Sequence, residues 1–184
     1  SNITYPSNWK MISKKRGLFY KDGKYIINIR SKYIHSKGLI ENLGLAIKVA
    51  LDLNIKPSII EKTIPKIFFE GRLQYIKKGK LRNYVYKNEE ILLDGAHSNA
   101  SGRNLYNYLK TLKLPIYCIW GMQKNKFPSD FLKNFKGIFK KVVTIKIPNE
   151  KNACSAENLK SIAAKQKYSV EKASNYKEAL KKIS

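Results

Sequence analysis

The sequence predicts an α/β protein with a mainly parallel sheet, and two patterns carry this prediction. After residue 90, short apolar runs of strand length alternate with segments of helical hydrophobic spacing, which is typical of βαβ units. Before that point, short β segments are followed by helices. We therefore expect two structural units, the second of them Rossmann-like, in a chain of 184 residues that is long enough to bury a core.

The first unit, residues 1–68, is predicted to hold a hairpin and two helices. An Asp-Gly pair at 22–23 lies between two apolar runs, which is a strong hairpin signal. Apolar residues then recur at helical spacing, and prolines can open or end a helix. The predicted elements are the hairpin over 17–29, a helix over 39–53 and a short helix from Pro57 to Pro65.

The second unit, residues 69–184, is predicted to alternate strands and helices. The apolar runs at 91–93 and 116–120 have the length and composition of buried parallel strands. Ser155 is predicted to cap a helix, with Glu157 in its first turn. The other predicted elements are strands over 73–77, 83–87, 142–147 and 168–170 and helices over 100–112, 128–136, 155–165 and 175–183.

The chain is strongly basic, with 37 Lys and Arg against 13 Asp and Glu and a net charge of +24. Such a charge attracts anionic partners, nucleic acid among them. However, only 5 of the basic residues are arginines, the side chain that base recognition favours, and the lysines are scattered along the chain. We therefore expect no specific nucleic-acid partner. A stand-alone basic nucleic-acid-binding module is the alternative.

The composition also indicates where the protein resides. No apolar run approaches the roughly 20 residues of a membrane-spanning helix, and the first residues show no signal-peptide pattern. Cys118 and Cys154 are isolated in the sequence, which favours a reducing compartment. We expect a cytoplasmic protein with no membrane partner.

Three residues near predicted strand ends are candidates for a ligand site. Ligands bind at the carboxyl ends of strands in open α/β sheets, and Asp94 directly follows the apolar run 91–93, with His97 three residues later. Arg72 lies at the predicted junction of the two units, where a guanidinium could clamp a phosphate. The structural alternatives are that Asp94 caps the following turn, that His97 has ordinary hydrogen bonds, and that Arg72 forms a surface salt bridge.

Several chemistries are excluded by motif. The sequence holds no GxxxxGK(S/T) phosphate loop, no GxGxxG dinucleotide fingerprint and no GxSxG nucleophile elbow. With 2 histidines and 2 isolated cysteines, a zinc site of the usual ligand spacing is not expected, and no residue is predicted to be a metal ligand.

Five segments together resemble the folylpolyglutamate synthase/dihydrofolate synthase family, which is part of the Mur ligase superfamily. FEGRLQ at 69–74 is similar to the family's PGR-x-Q junction, and LDGAH at 93–97 is similar to its LDGAHNP motif. The others are 40–47, which resembles HQxxNAxxAI, 121–126, which resembles GM…KD, and 147–159, which resembles IPGExNAxSAEEL. The combination is specific because order and spacing hold across nearly the whole chain.

The resemblance implies a Rossmann-like Mur-ligase C-terminal domain over residues 69–184, preceded over residues 1–68 by the tail of the Mur-ligase central ATPase domain. When full length, the implied enzyme is an ATP-dependent ligase. It phosphorylates the carboxylate of dihydropteroate or folate and joins L-glutamate to it through the acyl phosphate. ATP and Mg²⁺ are the implied cofactors, with Mg²⁺ held mainly outside these residues, and the implied enzyme is a monomer.

Site residues carry over from the family only where the motifs match. On that basis Arg72 contacts an ATP phosphate, while Asp94 and His97 reach the ribose or a phosphate. Asn42 is placed near the adenine by the same matching. His97 is the one candidate for a catalytic role.

The sequence also departs from the family pattern. No phosphate loop is present, and the chain stops before the family's final GSLY strand. Gly38-Leu39 stands where the family has His-Gln, which weakens the assignment of Asn42, and Phe127 stands where the family has the Asp of KD. We therefore expect a C-terminal fragment without ligase activity of its own. A Mur-type amide ligase with a substrate other than folate is a further alternative.

Overall fold

The structure is a computed structural model that describes residues 2–4, 8–14, 17–31, 34 and 36–183. The chain divides into two units between Glu70 and Gly71. Every described strand pairs with strands of its own unit, so no sheet formed by these residues runs through both. The α/β class is confirmed, because the second unit contains a parallel sheet flanked by helices.

The first unit is a four-stranded antiparallel sheet with two helices. Its elements are β1 (Asn2–Thr4), β2 (Lys10–Lys14), β3 (Gly17–Lys21), β4 (Ile26–Ile29), α1 (Lys37–Asp52) and α2 (Pro57–Thr63), followed by a 3₁₀ turn at Ile64–Lys66. The strands pair in chain order, and the predicted hairpin is confirmed as β3 and β4. The Asp22 carboxylate holds its turn, accepting hydrogen bonds from the backbone N–H groups of Lys24 and Tyr25 at 2.8 and 2.6 Å.

Helix α1 buries a face that contains Leu43, Gly44 and Ile47. A Cβ atom at Gly44 would lie 2.4 Å from Cζ3 of Trp9 and 2.8 Å from Cγ of Met11. Both neighbours are almost fully buried. The helix can therefore approach these side chains this closely only because residue 44 has no side chain.

We expect Gly44→Ala to destabilise the first unit, because the added methyl group overpacks a buried site at a cost of about 1–3 kcal/mol. The higher helix propensity of alanine, worth about 1 kcal/mol, offsets only part of this cost. Urea unfolding followed by tryptophan fluorescence measures the difference. Gly23→Ala is the matched control, because a Cβ atom there has no neighbour within 4 Å. An equal loss of stability in both variants would contradict the packing explanation.

The second unit alternates strands and helices, as predicted. Its elements are β5 (Gln74–Tyr75), β6 (Leu92–Leu93), α3 (Asn99–Leu109), β7 (Ile116–Trp120), α4 (Pro128–Lys133), β8 (Phe139–Thr144), α5 (Ala156–Lys165), β9 (Val170–Lys172) and α6 (Tyr176–Lys181), with 3₁₀ turns at Lys80–Tyr84 and Lys124–Lys126. The strands form an antiparallel pair, β5–β6, and a parallel sheet in the order β7-β8-β9.

The two faces of the parallel sheet are covered by different helices. Neighbouring residues of β8 point to opposite faces, so that Val142 packs in a cluster with Leu132 and Leu159, whereas Val143 packs in a cluster with Ala179. Helices α4 and α5 therefore cover one face and α6 covers the other. Ser155 caps α5 as predicted, and its hydroxyl accepts a hydrogen bond from the N–H of Asn158 at 3.1 Å.

The strand predicted over 83–87 is wrong. In its place the chain makes the 3₁₀ turn at Lys80–Tyr84. The Arg82 guanidinium fixes this loop by donating hydrogen bonds to the carbonyl oxygens of Glu89 and Tyr86, at 2.8 and 3.3 Å. This contact uses side-chain chemistry that an alternating hydrophobic pattern does not reveal.

The prediction that 91–93 forms a buried parallel strand is also wrong. Leu92 and Leu93 do form a strand, but β6 pairs antiparallel with β5, and Leu93 is 50% exposed. An apolar run predicts that a strand forms, whereas its partner depends on tertiary structure.

The remaining predicted elements are present, with ends that lie within three residues of the predicted ones. Among the described residues, no helix combines the length and the hydrophobicity that a membrane-spanning segment needs. The identities predicted for the two units, as parts of a central ATPase domain and a C-terminal domain, stay predictions.

Candidate functional site

Two hydrogen bonds join the junction segment at 71–74 to the turn after β6, and a third closes that turn on itself. The N–H of Leu73 donates to one carboxylate oxygen of Asp94 at 2.9 Å, and the N–H of Ala96 donates to the other at 2.8 Å. The N–H of Gly95 donates to the carbonyl oxygen of Gly71 at 2.7 Å. Hydrogen bonds to a charged acceptor are among the stronger ones in proteins, so Asp94 organises this turn.

The junction backbone is unusually bent. Gly71 and Leu73 have φ values of +64° and +46°, in the left-handed region. For a residue with a side chain this region costs about 1–2 kcal/mol, and Leu73 is held in it by burial of its side chain and by its bond to Asp94. The amide oxygen of Gln74 also accepts the N–H of Gly71 at 2.8 Å. The two segments that resemble family motifs therefore form one rigid turn.

The side chain of Arg72 projects from this turn and is exposed. Its Nη1 atom lies 3.4 Å from the position that a Cβ atom on Gly95 would occupy. The guanidinium thus rests against a stretch of backbone that carries no side chain. A flat group with several N–H donors in this position is suited to an anion such as a phosphate.

His97 is exposed and lies just beyond the same turn. Its Nδ1 atom is 2.8 Å from the carbonyl oxygen of Gly95. Because a carbonyl oxygen can only accept, this contact assigns the ring proton to Nδ1 and leaves Nε2 of the neutral ring as an acceptor. Asp94 and His97 therefore lie on one turn without forming a hydrogen-bonded pair, since the hydrogen bonds described for each go to backbone.

Helix α3 begins directly after His97. Ser98 is the N-cap, and its hydroxyl accepts the N–H of Ser101 at 3.2 Å, while the Ser101 hydroxyl accepts the N–H groups of Ser98 and His97 at 2.9 and 3.1 Å. The first turn of the helix contains no acidic residue. No negative side chain of this turn therefore neutralises the partial positive charge at the start of the helix.

The segment after β7, which contains the GM…KD-like residues 121–126, is supported by the loop at 147–153. The Glu150 carboxylate accepts hydrogen bonds from the side-chain amide of Gln123 and from the N–H of Asn152, both at 2.8 Å. The bond from Asn152 and then the bond from Gln123 hold the pKa of Glu150 below its ordinary value. In turn, the carbonyl oxygen of Asn152 accepts the N–H of Lys124 at 2.9 Å. These contacts fix the segment that carries Lys126.

A pocket of about 690 Å³ joins the two strand ends within the second unit. We call it the α3–α4 pocket, and the residues that line it include His97, Arg103, Lys126, Phe127, Phe131 and Asn134. Gly102 lets its walls approach, because a Cβ atom there would lie 3.0 Å from Nδ2 of Asn134. The motifs found in the sequence supply His97 and Lys126, whereas nothing in the sequence marked Arg103 or Asn134 as site residues.

The predicted site residues are distributed over both units. Arg72, Asp94 and His97 lie in the second unit, within one turn and its flanks, whereas Asn42 is an exposed residue of α1 in the first unit. Across the described part of the chain, no three His, Cys, Asp or Glu side chains form a group that could hold a metal ion.

We expect Asp94→Ala to destabilise the protein by about 1–3 kcal/mol, because two backbone N–H groups lose their acceptor. Thermal or urea unfolding measures the change. The matched control is Asp52→Ala, which removes an exposed carboxylate paired only with Lys48 at the surface and should change stability by less than about 0.5 kcal/mol. Unchanged stability in Asp94→Ala would refute the organising role and favour a carboxylate that serves a ligand alone.

Comparisons with protein-family models and with curated proteins give no match. Solved structures do match. A Mycobacterium tuberculosis folylpolyglutamate synthase complexed with ADP and AMPPCP is 16% identical, with a TM-score of 0.76 over 95% of this chain and 40% of that chain. A Thermotoga maritima folylpolyglutamate synthase is 21% identical, with a TM-score of 0.69 over 86% of this chain and 36% of that chain.

A bifunctional folylpolyglutamate synthase/dihydrofolate synthase from Yersinia pestis, complexed with AMPPNP and a manganese ion, is 18% identical, with a TM-score of 0.73. That match covers 97% of this chain and 40% of the Yersinia chain. This chain therefore spans 40% or less of the length of these three enzymes. At such identities the likeness is one of fold, and it confirms the fold that the sequence motifs implied. The chain has the fold of part of a folylpolyglutamate synthase.

Proposed function

We propose that the chain is the C-terminal part of an ATP-dependent ligase that adds L-glutamate to dihydropteroate or folate. In this proposal residues 69–184 are the C-terminal domain and residues 1–68 are the end of the central ATPase domain. The observation that carries the proposal is the turn in which two of the motif matches, at 69–74 and 93–97, meet. The likeness to folylpolyglutamate synthases solved with nucleotides supports it.

In the proposed enzyme the exposed groups of this turn bind the nucleotide. The Arg72 guanidinium donates two parallel hydrogen bonds to phosphate oxygens, and this charge-assisted contact holds the phosphate in one orientation. His97 presents Nε2, which accepts a hydrogen bond from a ribose hydroxyl or, when protonated, donates one to a phosphate. Asp94 acts indirectly, because both of its oxygens are used to hold the turn.

ATP supplies the phosphoryl group that activates the acceptor carboxylate as an acyl phosphate, and the glutamate amine then displaces phosphate to form the amide. Positive side chains that face the transferring phosphoryl group stabilise the charge it carries.

The described residues offer no three-ligand cluster for a metal. As the family resemblance implies, we assign Mg²⁺ mainly to the phosphate loop of the full-length enzyme, and we place the adenine near Asn42. The 184 residues alone are not expected to turn over ATP, and the full-length enzyme is proposed to be a cytoplasmic monomer.

Titration of the chain with AMPPNP, followed by NMR of backbone amides, tests the proposal. We expect shifts at Gly95 and His97, and we expect Arg72→Ala to weaken binding about 10- to 100-fold, as the loss of a charged hydrogen bond does. Arg30→Ala is the matched control, because it removes the same charge from an exposed residue of the first unit. Equal loss in both variants would reveal general attraction by the positive charge of the chain and would contradict a phosphate contact at Arg72.

A further inference from the structure

The loop between β5 and β6 presents an exposed tyrosine on a fixed backbone. The carbonyl oxygen of Tyr86 accepts hydrogen bonds from the N–H of Glu89 at 3.1 Å and from the Arg82 guanidinium at 3.3 Å. The N–H of Tyr86 donates to the Glu89 carboxylate at 2.8 Å. Although three hydrogen bonds hold its backbone, the Tyr86 side chain is 67% exposed. The packing of the protein therefore leaves most of this ring available to a partner.

Two more tyrosines lie where this loop contacts the start of α6. The Nζ atom of Lys177 is 5.9 Å from the centroid of the Tyr84 ring, a cation–π contact. The residue before it, Tyr176, is exposed. Because Val85 is extended, the side chains of Tyr84 and Tyr86 leave the chain on the same side. The exposed aromatic groups are thus clustered, whereas single ones scattered over a surface would need no explanation.

The same loop carries positive charge that its acidic residues do not balance. Residues 77–90 contain 5 basic and 2 acidic side chains. Both acidic side chains have partners in the protein, since Glu89 accepts the N–H of Tyr86 and Glu90 pairs with Lys77 at 2.7 Å. Three exposed lysines of the loop form no ion pair within the described part of the chain: Lys78, Lys80 and Lys87.

We propose that this surface binds single-stranded nucleic acid without sequence preference. We call it the tyrosine–lysine patch, and it consists of Lys78, Lys80, Tyr84, Tyr86, Lys87, Tyr176 and Lys177. Lysines neutralise the phosphates of a strand while its bases stack on the tyrosine rings. Any base can stack, and lysine lacks the planar fork that reads base edges, so the binding discriminates little between sequences.

The chemistry of the patch favours single strands over the other anionic surfaces. In a duplex the bases are stacked on each other, whereas a single strand can place them on tyrosine rings. An anionic membrane also attracts lysines, but amphipathic helices bind it by burying an apolar face, and this loop is a short 3₁₀ turn. The inference goes beyond the proposed function, because it requires neither ATP nor Arg72, and it agrees with the expectation that no nucleic acid is bound specifically.

The test uses the whole chain and two labelled strands, titrated by fluorescence anisotropy. An oligothymidylate is compared with an abasic strand of the same length, so that the two carry the same phosphates and differ only in their bases. We expect the wild type to bind the oligothymidylate about tenfold more tightly, the scale of one stacked base. Equal affinities would overturn the proposal, and this comparison does not depend on the folding of any variant.

Variants at residue 86 assign the preference for bases to the patch. Tyr86→Ala should weaken binding of the oligothymidylate about tenfold and leave binding of the abasic strand unchanged, whereas Tyr86→Phe should retain the preference. Tyr25→Ala is the matched control, because it removes an exposed tyrosine of the first unit. A preference for bases that survives Tyr86→Ala, or that Tyr25→Ala removes equally, would contradict the assignment.

The dependence of binding on salt tests the lysines. Each phosphate contact to a single strand contributes about 0.7 to the slope of log affinity against log salt, so Lys80→Ala/Lys87→Ala should reduce that slope by about 1.4. The matched control, Lys136→Ala/Lys151→Ala, removes two exposed lysines of the second unit that form no ion pair among the described residues. An equal reduction in both variants would mean general attraction by the charge of the chain and would overturn the patch.

Vesicles of phosphatidylserine and phosphatidylcholine separate the two classes of anionic partner. We expect Tyr86→Ala to change the affinity for the oligothymidylate and not that for the vesicles. Weaker binding to the vesicles with unchanged binding to the oligothymidylate would make the patch a membrane contact and overturn the proposal. None of these results bears on the AMPPNP titration of Arg72→Ala, so this inference and the proposed function can fail independently.

Discussion

The geometry of the candidate site depends on one carboxylate. Asp94 accepts the N–H of Leu73 with one oxygen and the N–H of Ala96 with the other, and so ties together two segments that lie about twenty residues apart in the sequence. The strained backbone at Leu73 persists because this bond and the burial of the side chain hold it. As a result Arg72 and His97 are exposed on a turn whose own backbone N–H groups already have acceptors.

The motif at 93–97 combines a carboxylate bonded within the protein with side chains that are exposed. Asp94 uses its oxygens within the protein, as the turn-capping alternative required, whereas His97 and Arg72 remain exposed. One short motif can therefore supply both the scaffold and the groups available to a ligand. The loop after β7 is arranged in the same way. The Glu150 carboxylate accepts hydrogen bonds from the backbone and from a side-chain amide, and these bonds support the segment whose Lys126 lines the pocket.

Local chemistry made much of the fold predictable. The Asp22 turn and the Ser155 cap are determined by neighbours within three residues, and the sequence predicted both. The pairing of β6 with β5 depends instead on contacts distant in sequence, which an apolar run does not encode. The same contrast holds for the candidate site. Local motifs predicted Arg72 and His97, whereas the place of Arg103 in the pocket depends on the packing of α3 against α4 at Gly102.

Amide hydrogen exchange tests the central role of Asp94 most directly. In the wild type, the N–H groups of Leu73, Gly95 and Ala96 should exchange more slowly than unprotected amides, because each has a backbone or carboxylate acceptor. In Asp94→Ala, Leu73 and Ala96 should lose this protection first, since their acceptor is removed while that of Gly95 is the carbonyl of Gly71. Unprotected exchange at all three amides of the wild type, or protection unaffected by the substitution, would contradict the account.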